Sequence, residues 1–343
     1  MAVKKINLAL QGGGAHGAFT WGALDCLLAD PRIEIAGISG TSAGALNGAA
    51  VKAGLAAGGA EAARDNLAWL WDQVAGTQDS RLTGWLAHLG PGQVSQALEY
   101  SLPYAFGDAF TRMVSPYAYG PFYRNPLTDI VARFDMDKVC CDAGPQLFIN
   151  ATRVRNGKLR VFSQAEVTPD VIMASACLPT LFQAVKIHDN ETGQDEEFWD
   201  GGYTGNPALF PMFDRSLPDD IVVININPLE REDLPRTPQQ IQNRINEISF
   251  NSSLLREMRA IDFVQRLLDD GTLPEGRMAR VLIHMIADDD LMGELSVATK
   301  TVPNAYVISQ LKEAGTRAAQ AFLDAHFDDI GNKSSAALRQ MFA

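Results

Sequence analysis

The chain has 343 residues, 46% of them apolar and 20% charged, with a formal net charge of −12. That length and apolar content support a sizeable buried core, whereas an acidic chain without Lys and Arg clusters argues against nucleic acid as a partner and disfavours attraction to anionic membranes. Four cysteines, Cys26, Cys140, Cys141 and Cys177, show neither metal-ligand spacing nor the framework of a secreted disulfide scaffold, so neither a metal nor a cofactor is expected.

Residues 6–10 form a short apolar strand pattern that runs into Gly12, Gly13, Gly14, Ala15, His16 and Gly17. A glycine run between a strand and a helix bares backbone N–H groups at the helix N-terminus, where developing negative charge is stabilised. Gly12, Gly14 and Gly17 also satisfy the spacing of a dinucleotide fingerprint, which requires an acidic side chain at the end of the next strand. That strand, Ile35–Ser39, ends in Ile38, Ser39 and Gly40, with Glu34 ahead of its apolar core. A tight turn without any ligand is the third reading of the glycines.

Gly40-Thr41-Ser42-Ala43-Gly44 follows directly, and the Ala-rich stretches 45–51 and 53–63 after it favour helix. Ser42 is therefore expected on a sharp strand-to-helix turn as a candidate nucleophile. Gly40 and Gly44 relieve the crowding that such a turn imposes.

Residues 80–125 interrupt the alternation with Trp85, Leu86, Leu89, Leu102, Tyr104, Phe106, Phe110, Met113, Tyr117, Tyr119, Phe122 and Tyr123 among several Pro and Gly. This composition suits an irregular apolar cap that holds acyl chains or touches a lipid surface transiently, or else an insertion packed quietly on the core. Val185–His188 and Glu196–Trp199 alternate around a turn-forming 189–194, so Asp200 stands at a strand end before Gly201 and Gly202. There it is placed either to serve as a base in a cleft or to order its own turn.

Residues 220–228 read as a buried strand, and beyond about residue 230 the chain is mainly helical. Ile241, Ile245, Ile248, Leu255, Met258 and Val264 recur at helical spacing and are expected to face the core. Residues 279–287 form a last strand and 305–327 a closing helix. The order Ser42, Asp200, His284 permits a Ser-Asp-His triad, but His284 lies in an apolar strand pattern rather than a loop, and only some 40 residues precede the serine. His88, His188 and His326 carry no supporting pattern.

Gly-Gly-Gly-Ala-His-Gly at 12–17, Gly-Thr-Ser-Ala-Gly at 40–44, Ala-Ser-Ala-Cys-Leu-Pro at 174–179 and Asp-Gly-Gly at 200–202 resemble, in order and separation, the four sequence blocks of the patatin-like phospholipase family. The resemblance implies a three-layer α/β/α fold with a mainly parallel sheet over residues 5–230, to which composition and periodicity add the cap insertion at 80–125 and a helical extension over 231–343 packed on the same domain. It implies a Ser-Asp dyad without catalytic histidine or metal: Ser42 as nucleophile, Asp200 as base, and the Gly12, Gly13 and Gly14 backbone as oxyanion hole. His16, Gly17, Gly40, Gly44, Gly201 and Gly202 support them. The family usually carries Arg or Lys where this chain has His16, so a fixed positive charge is replaced by a group that titrates near neutrality.

The expected activity is hydrolysis of lipid acyl esters, of the phospholipase A, lysophospholipase or carboxylesterase type, through an acyl-enzyme. Alternatives are a thioesterase or acyltransferase using the same serine, and a lipid-binding or scaffold protein with an idle dyad. A solvated Asp, with a reference pKa of about 3.9, is a poor base, so the dyad requires a desolvated Asp200. Lys4 and Lys5 precede an apolar stretch broken at Asn7 and Gln11, too short for a signal sequence, and a cytoplasmic location is expected. Composition leaves the oligomeric state open.

Overall fold

The computed structural model describes residues 3–76, 90–101, 104, 107, 113–231, 234–274 and 276–342. Its centre is a mixed, mostly parallel sheet. β1 (Lys4–Leu10), β2 (Ile33–Gly40), β3 (Gln146–Arg153), β7 (Asp220–Ile224) and β8 (Leu282–Ile286) run parallel to their neighbours in the order β3-β2-β1-β7-β8. β4 (Lys158–Ser163) and β6 (Gln194–Asp200) pair antiparallel with β3, and β5 (Val185–Asp189) pairs antiparallel with β6. The expected hairpin around 189–194 is β5–β6.

Alternation along the strands divides the core. Leu8, Leu10, Val222 and Ile224 pack with Phe19, Leu24, Leu67, Leu70, Leu311 and Phe322, whereas Ala9, Ile221 and Val223 pack with Leu209, Leu254, Met258 and Ile261. Helices therefore cover both faces: α1 (Gly17–Ala29), α2 (Ala43–Ala75) and α6 (Ala305–His326) on one, α5 (Pro238–Asp269) on the other. α2 extends through both Ala-rich stretches, with a break at Gly59, where φ is +82°.

One sequence expectation is corrected here. Met258 is buried, but Ile241, Ile245 and Ile248 are 43%, 53% and 55% exposed, because the inward stripe of α5 runs through Glu247, Asn251, Leu254, Met258 and Ile261 and the three isoleucines lie on another face. Trp85, Leu86, Leu89, Leu102, Phe106 and Phe110 of the expected cap lie outside the described residues. The described parts of 80–125 include α3 (Pro91–Glu99) and a 3-10 turn at Pro116–Phe122. This turn is tied to the loop after α4 (Pro169–Ser175): the Gln183 and Ala184 N–H groups donate to the Tyr123 and Tyr117 hydroxyls at 3.1 and 3.0 Å.

Candidate active site

Strand register brings three distant segments together. Leu10 pairs with Gly40, Gly40 pairs with Ile149, and Ala151 pairs with Asp200. The glycine turn and the Ser42 turn thus leave adjacent parallel strands at the same edge, and β6, running the opposite way, ends there too. A Cβ built on Gly12 would lie 2.7 Å from Ser42 Cβ, which measures how closely the first turn passes the second.

Ser42 has φ 56° and ψ −121°, the left-handed region that side chains other than glycine avoid, at the N-terminus of α2. Its surroundings hold it there. The Thr41 hydroxyl donates to the Gly205 carbonyl at 2.6 Å, and the Ser42 N–H donates at 2.9 Å to Ser175 Oγ, which itself donates to the Asn150 carbonyl at 2.7 Å. Asn150 Nδ2 is within 3.1 Å of the Gly40 carbonyl and Thr41 Oγ1. Gly40 and Gly44 fit for the reason expected: a Cβ at Gly40 would meet Gly44 O at 2.5 Å, and one at Gly44 would meet Leu10 O at 2.1 Å. Gly17 lets α1 cross beside Ala43, where a Cβ would lie 2.7 Å from the alanine methyl.

Asp200 is 1% exposed and Ser42 7%. Asp200 Oδ1 accepts from the Gly202 N–H at 2.7 Å, its backbone N–H donates to the Cys177 carbonyl at 2.8 Å, and its carbonyl accepts from Thr152 Oγ1 at 2.8 Å. Its carboxyl also interacts with the Ser42 side chain. Burial raises its pKa to about 7, against the opposing pull of the Gly202 and Ser42 hydrogen bonds. The desolvated carboxylate that proton abstraction needs is therefore present. Gly201 and Gly202 admit close neighbours, Asn150 O and the Phe250 ring, at 2.2 and 2.1 Å from a built Cβ. Burial pushes the nearby Cys177 thiol up to about 12, so it is no rival nucleophile.

The three glycines of the first turn are not equivalent. The Gly12 N–H donates to Asn206 Oδ1 at 2.7 Å and is already committed, which corrects its assignment as a donor. The Gly13 and Gly14 N–H groups form no hydrogen bond among the described residues, and Gly13 is half-buried and Gly14 exposed. Gly14 has φ +57°, and a Cβ there would meet Lys300 O at 2.2 Å, so it requires glycine on both counts.

His16 is buried, with Nε2 2.8 Å from Thr299 Oγ1. Burial first, then Lys300 and Arg231, hold its pKa well below the usual histidine value. The imidazole is held neutral, so His16 does not replace the family's fixed positive charge at the glycine turn. His284 also lies apart: Nε2 is 2.9 Å from Asp220 Oδ1 and Nδ1 3.0 Å from Ser335 Oγ, so both ring nitrogens are engaged away from Ser42. β2 ends in Ser39 and Gly40, so the acidic ribose partner of a dinucleotide site is missing from its end.

Sequence reasoning missed the residues that hold these groups. Gln11, Asn150, Asn206 and Asn227 are all fully or almost fully buried and hydrogen-bonded around the two turns. Asn225 and Asn227 interrupting an apolar run after β7 were the visible signal, since a buried amide must have partners. Among the described residues no group of three or more His, Cys, Asp or Glu is placed to hold a metal ion, and no helix is long and apolar enough to cross a membrane.

No curated protein matches the chain. Among solved structures, it is similar to VipD from Legionella pneumophila, with 16% identity and a TM-score of 0.44 over 94% of this chain and 67% of that one. It is also similar to a chain of the heterodimeric ExoU–SpcU complex from the type III secretion system of Pseudomonas aeruginosa, with 18% identity, a TM-score of 0.27, and coverage of 95% of this chain and 61% of that one. Residues 8–213, more than half of the sequence, match the family model described as patatin-like phospholipase. The chain belongs to the patatin-like phospholipase family.

Proposed function

We propose that this protein is a serine acyl hydrolase of lipid esters working through a Ser42–Asp200 dyad. The observation that carries the reading is Ser42 at a strained turn, its side chain interacting with the buried Asp200 carboxyl and the glycine turn passing close by, where the Gly13 and Gly14 N–H groups have no partner among the described residues. Family membership supports it at a coarser level, because patatin-like proteins are generally acyl hydrolases.

In this mechanism Ser42 Oγ attacks the ester carbonyl as its proton passes to Asp200. The carbonyl oxygen becomes negative against the Gly13 and Gly14 N–H groups, which need no reorganisation as charge develops. Collapse breaks the bond to the leaving alcohol, which takes the proton from Asp200 and leaves Ser42 acylated. Water then attacks the acyl carbon, giving its proton to Asp200. The second collapse returns that proton to Ser42 and releases the carboxylic acid.

The proposed dyad works on a three-layer scaffold that residues 231–343 complete as part of the same domain. Phospholipids and lysophospholipids are the proposed substrates, and a cytoplasmic location remains the proposal. Ser42→Ala deletes one oxygen and should lower ester turnover by about three orders of magnitude and abolish fluorophosphonate labelling, with the fold intact. Labelling and turnover that persist in a folded Ser42→Ala protein would overturn the reading.

A further inference from the structure

The glycine turn receives its positive charge from the far end of the chain. Lys300 closes on it from the short helix Val297–Thr301, with its own carbonyl 2.2 Å from where a Cβ of Gly14 would lie. Lys300 Nζ donates to Asn227 Oδ1 at 2.9 Å, and Asn227 Nδ2 donates to the Gly12 carbonyl at 2.8 Å and to Gln11 Oε1 at 3.1 Å. The amide orientation is unambiguous, because an ammonium can only donate and a carbonyl can only accept. Gln11 Oε1 fixes the other side of Asn227, accepting its backbone N–H at 3.1 Å and that of Ile226 at 2.9 Å.

What this clamp grips is one peptide plane. The Gly12–Gly13 bond is trans, so holding the Gly12 carbonyl on one side directs the Gly13 N–H to the opposite side. A carbonyl that accepts from an amide backed by a cation is also polarised, which strengthens the N–H across the same plane as a donor. Glycine on both sides leaves this peptide with little intrinsic preference, so without the clamp its rotation is cheap.

We propose that Lys300 and Asn227 are positioning residues for the oxyanion site: the lysine orients the Asn227 amide, and the amide holds the Gly12–Gly13 peptide with its Gly13 N–H toward the reacting carbonyl. The inference rests on the acyl-hydrolase reading above. It also accounts for a neutral His16, since the charge enters from Lys300 instead.

Lys300 is surrounded by Glu247 from α5, Arg231 from the loop before it, and neutral His16 from the glycine turn. Burial lowers its pKa to about 8, with Glu247 opposing that shift and Arg231 adding to it. Arg231, together with Arg244, holds Glu247 ionised below its usual range despite burial. The clamp is thus charged at neutral pH and loses its charge as pH rises through about 8.

The test compares wild type with Lys300→Met, Lys300→Arg and Asn227→Asp, using a short-chain nitrophenyl ester, with circular dichroism and Tm as folding controls. Lys300→Met should lower kcat by about tenfold or more while KM changes by less than about twofold, and Lys300→Arg should recover kcat to within about threefold. Asn227→Asp sets a carboxylate oxygen against the Gly12 carbonyl and should lower kcat at least as far as Lys300→Met. Wild-type kcat should fall above about pH 8, and Lys300→Arg should remove that fall, which a merely structural lysine would not produce. A folded Lys300→Met enzyme with wild-type kcat would overturn the proposal, as would a loss that Lys300→Arg leaves unrelieved. If Lys300→Met does not fold, wild type and Lys300→Arg decide the matter by pH profile, and identical alkaline limbs reject the clamp. Ser42→Ala separates the two levels: turnover surviving in it defeats the hydrolase reading, whereas its loss with an unimpaired Lys300→Met defeats only the clamp.

Discussion

Asp200 keeps its carboxyl away from water, where burial raises its pKa to about 7, while in the unfolded chain the same group titrates near 3.9. Between those values the folded protein retains a proton that the unfolded chain has released. Stability from this residue is therefore highest below about pH 4, falls as pH rises to about 7, and stays reduced above. Turnover runs the other way, rising with pH through about 7 as the base ionises. Asp200→Asn removes the buried charge and keeps an acceptor for the Gly202 N–H. It should lose about three orders of magnitude in kcat while raising Tm at pH 8 by several degrees, with little gain at pH 4. Thermal melts of both proteins at the two pH values check this. A variant no more stable at pH 8 would mean that the carboxylate carries no desolvation cost. In the proposed mechanism Lys300 and Asp200 would set opposite limbs of one activity profile.

α5 serves two environments along one helix. Its later turns cover the sheet through Leu254, Met258 and Ile261, whereas Ile241, Ile245 and Ile248 stand in solvent. Met258→Ala should destabilise the protein by about 2–5 kcal/mol, whereas Ile245→Gln should change stability by less than about 0.5 kcal/mol. Denaturant titration of the two variants distinguishes a helix buried along its whole length, which would lose heavily from both. Periodicity shows that residues form a helix with an apolar stripe, and the sequence conveyed that much. Which stripe turns inward is set by partners elsewhere in the chain, here Arg231 and Lys300 beside buried Glu247, which apolar periodicity does not encode. The same difference separates the site residues. Ser42 and Asp200 were legible because glycines fix their backbones locally. The commitment of the Gly12 N–H was not, since its partner Asn206 lies 194 positions away and arrives through the fold.

At the scale of the molecule, the two ends of the chain close on each other. Where α1 and α6 cross, a Cβ on Gly22 would lie 1.9 Å from Lys312 O and one on Gly315 would lie 1.9 Å from Phe19 O, so the helices meet backbone to backbone. Residues 231–343 also supply β8 at the sheet edge, α5 over one face and Lys300 at the glycine turn. A chain ending at residue 230 should therefore fail to fold cooperatively, although it retains Ser42, Asp200 and the glycines. Loss of a single sharp melting transition and of fluorophosphonate labelling would show this, and a stable, reactive fragment would refute it. The Gly22–Thr316 contact, 294 positions apart, also sets a clock during synthesis. At roughly 5–20 residues per second, the apolar face of α1 waits about 15–60 s at the ribosome before its partner helix is made. Any cell producing this protein must shelter that face for the interval, and the glycine turn meets Lys300 only late in synthesis.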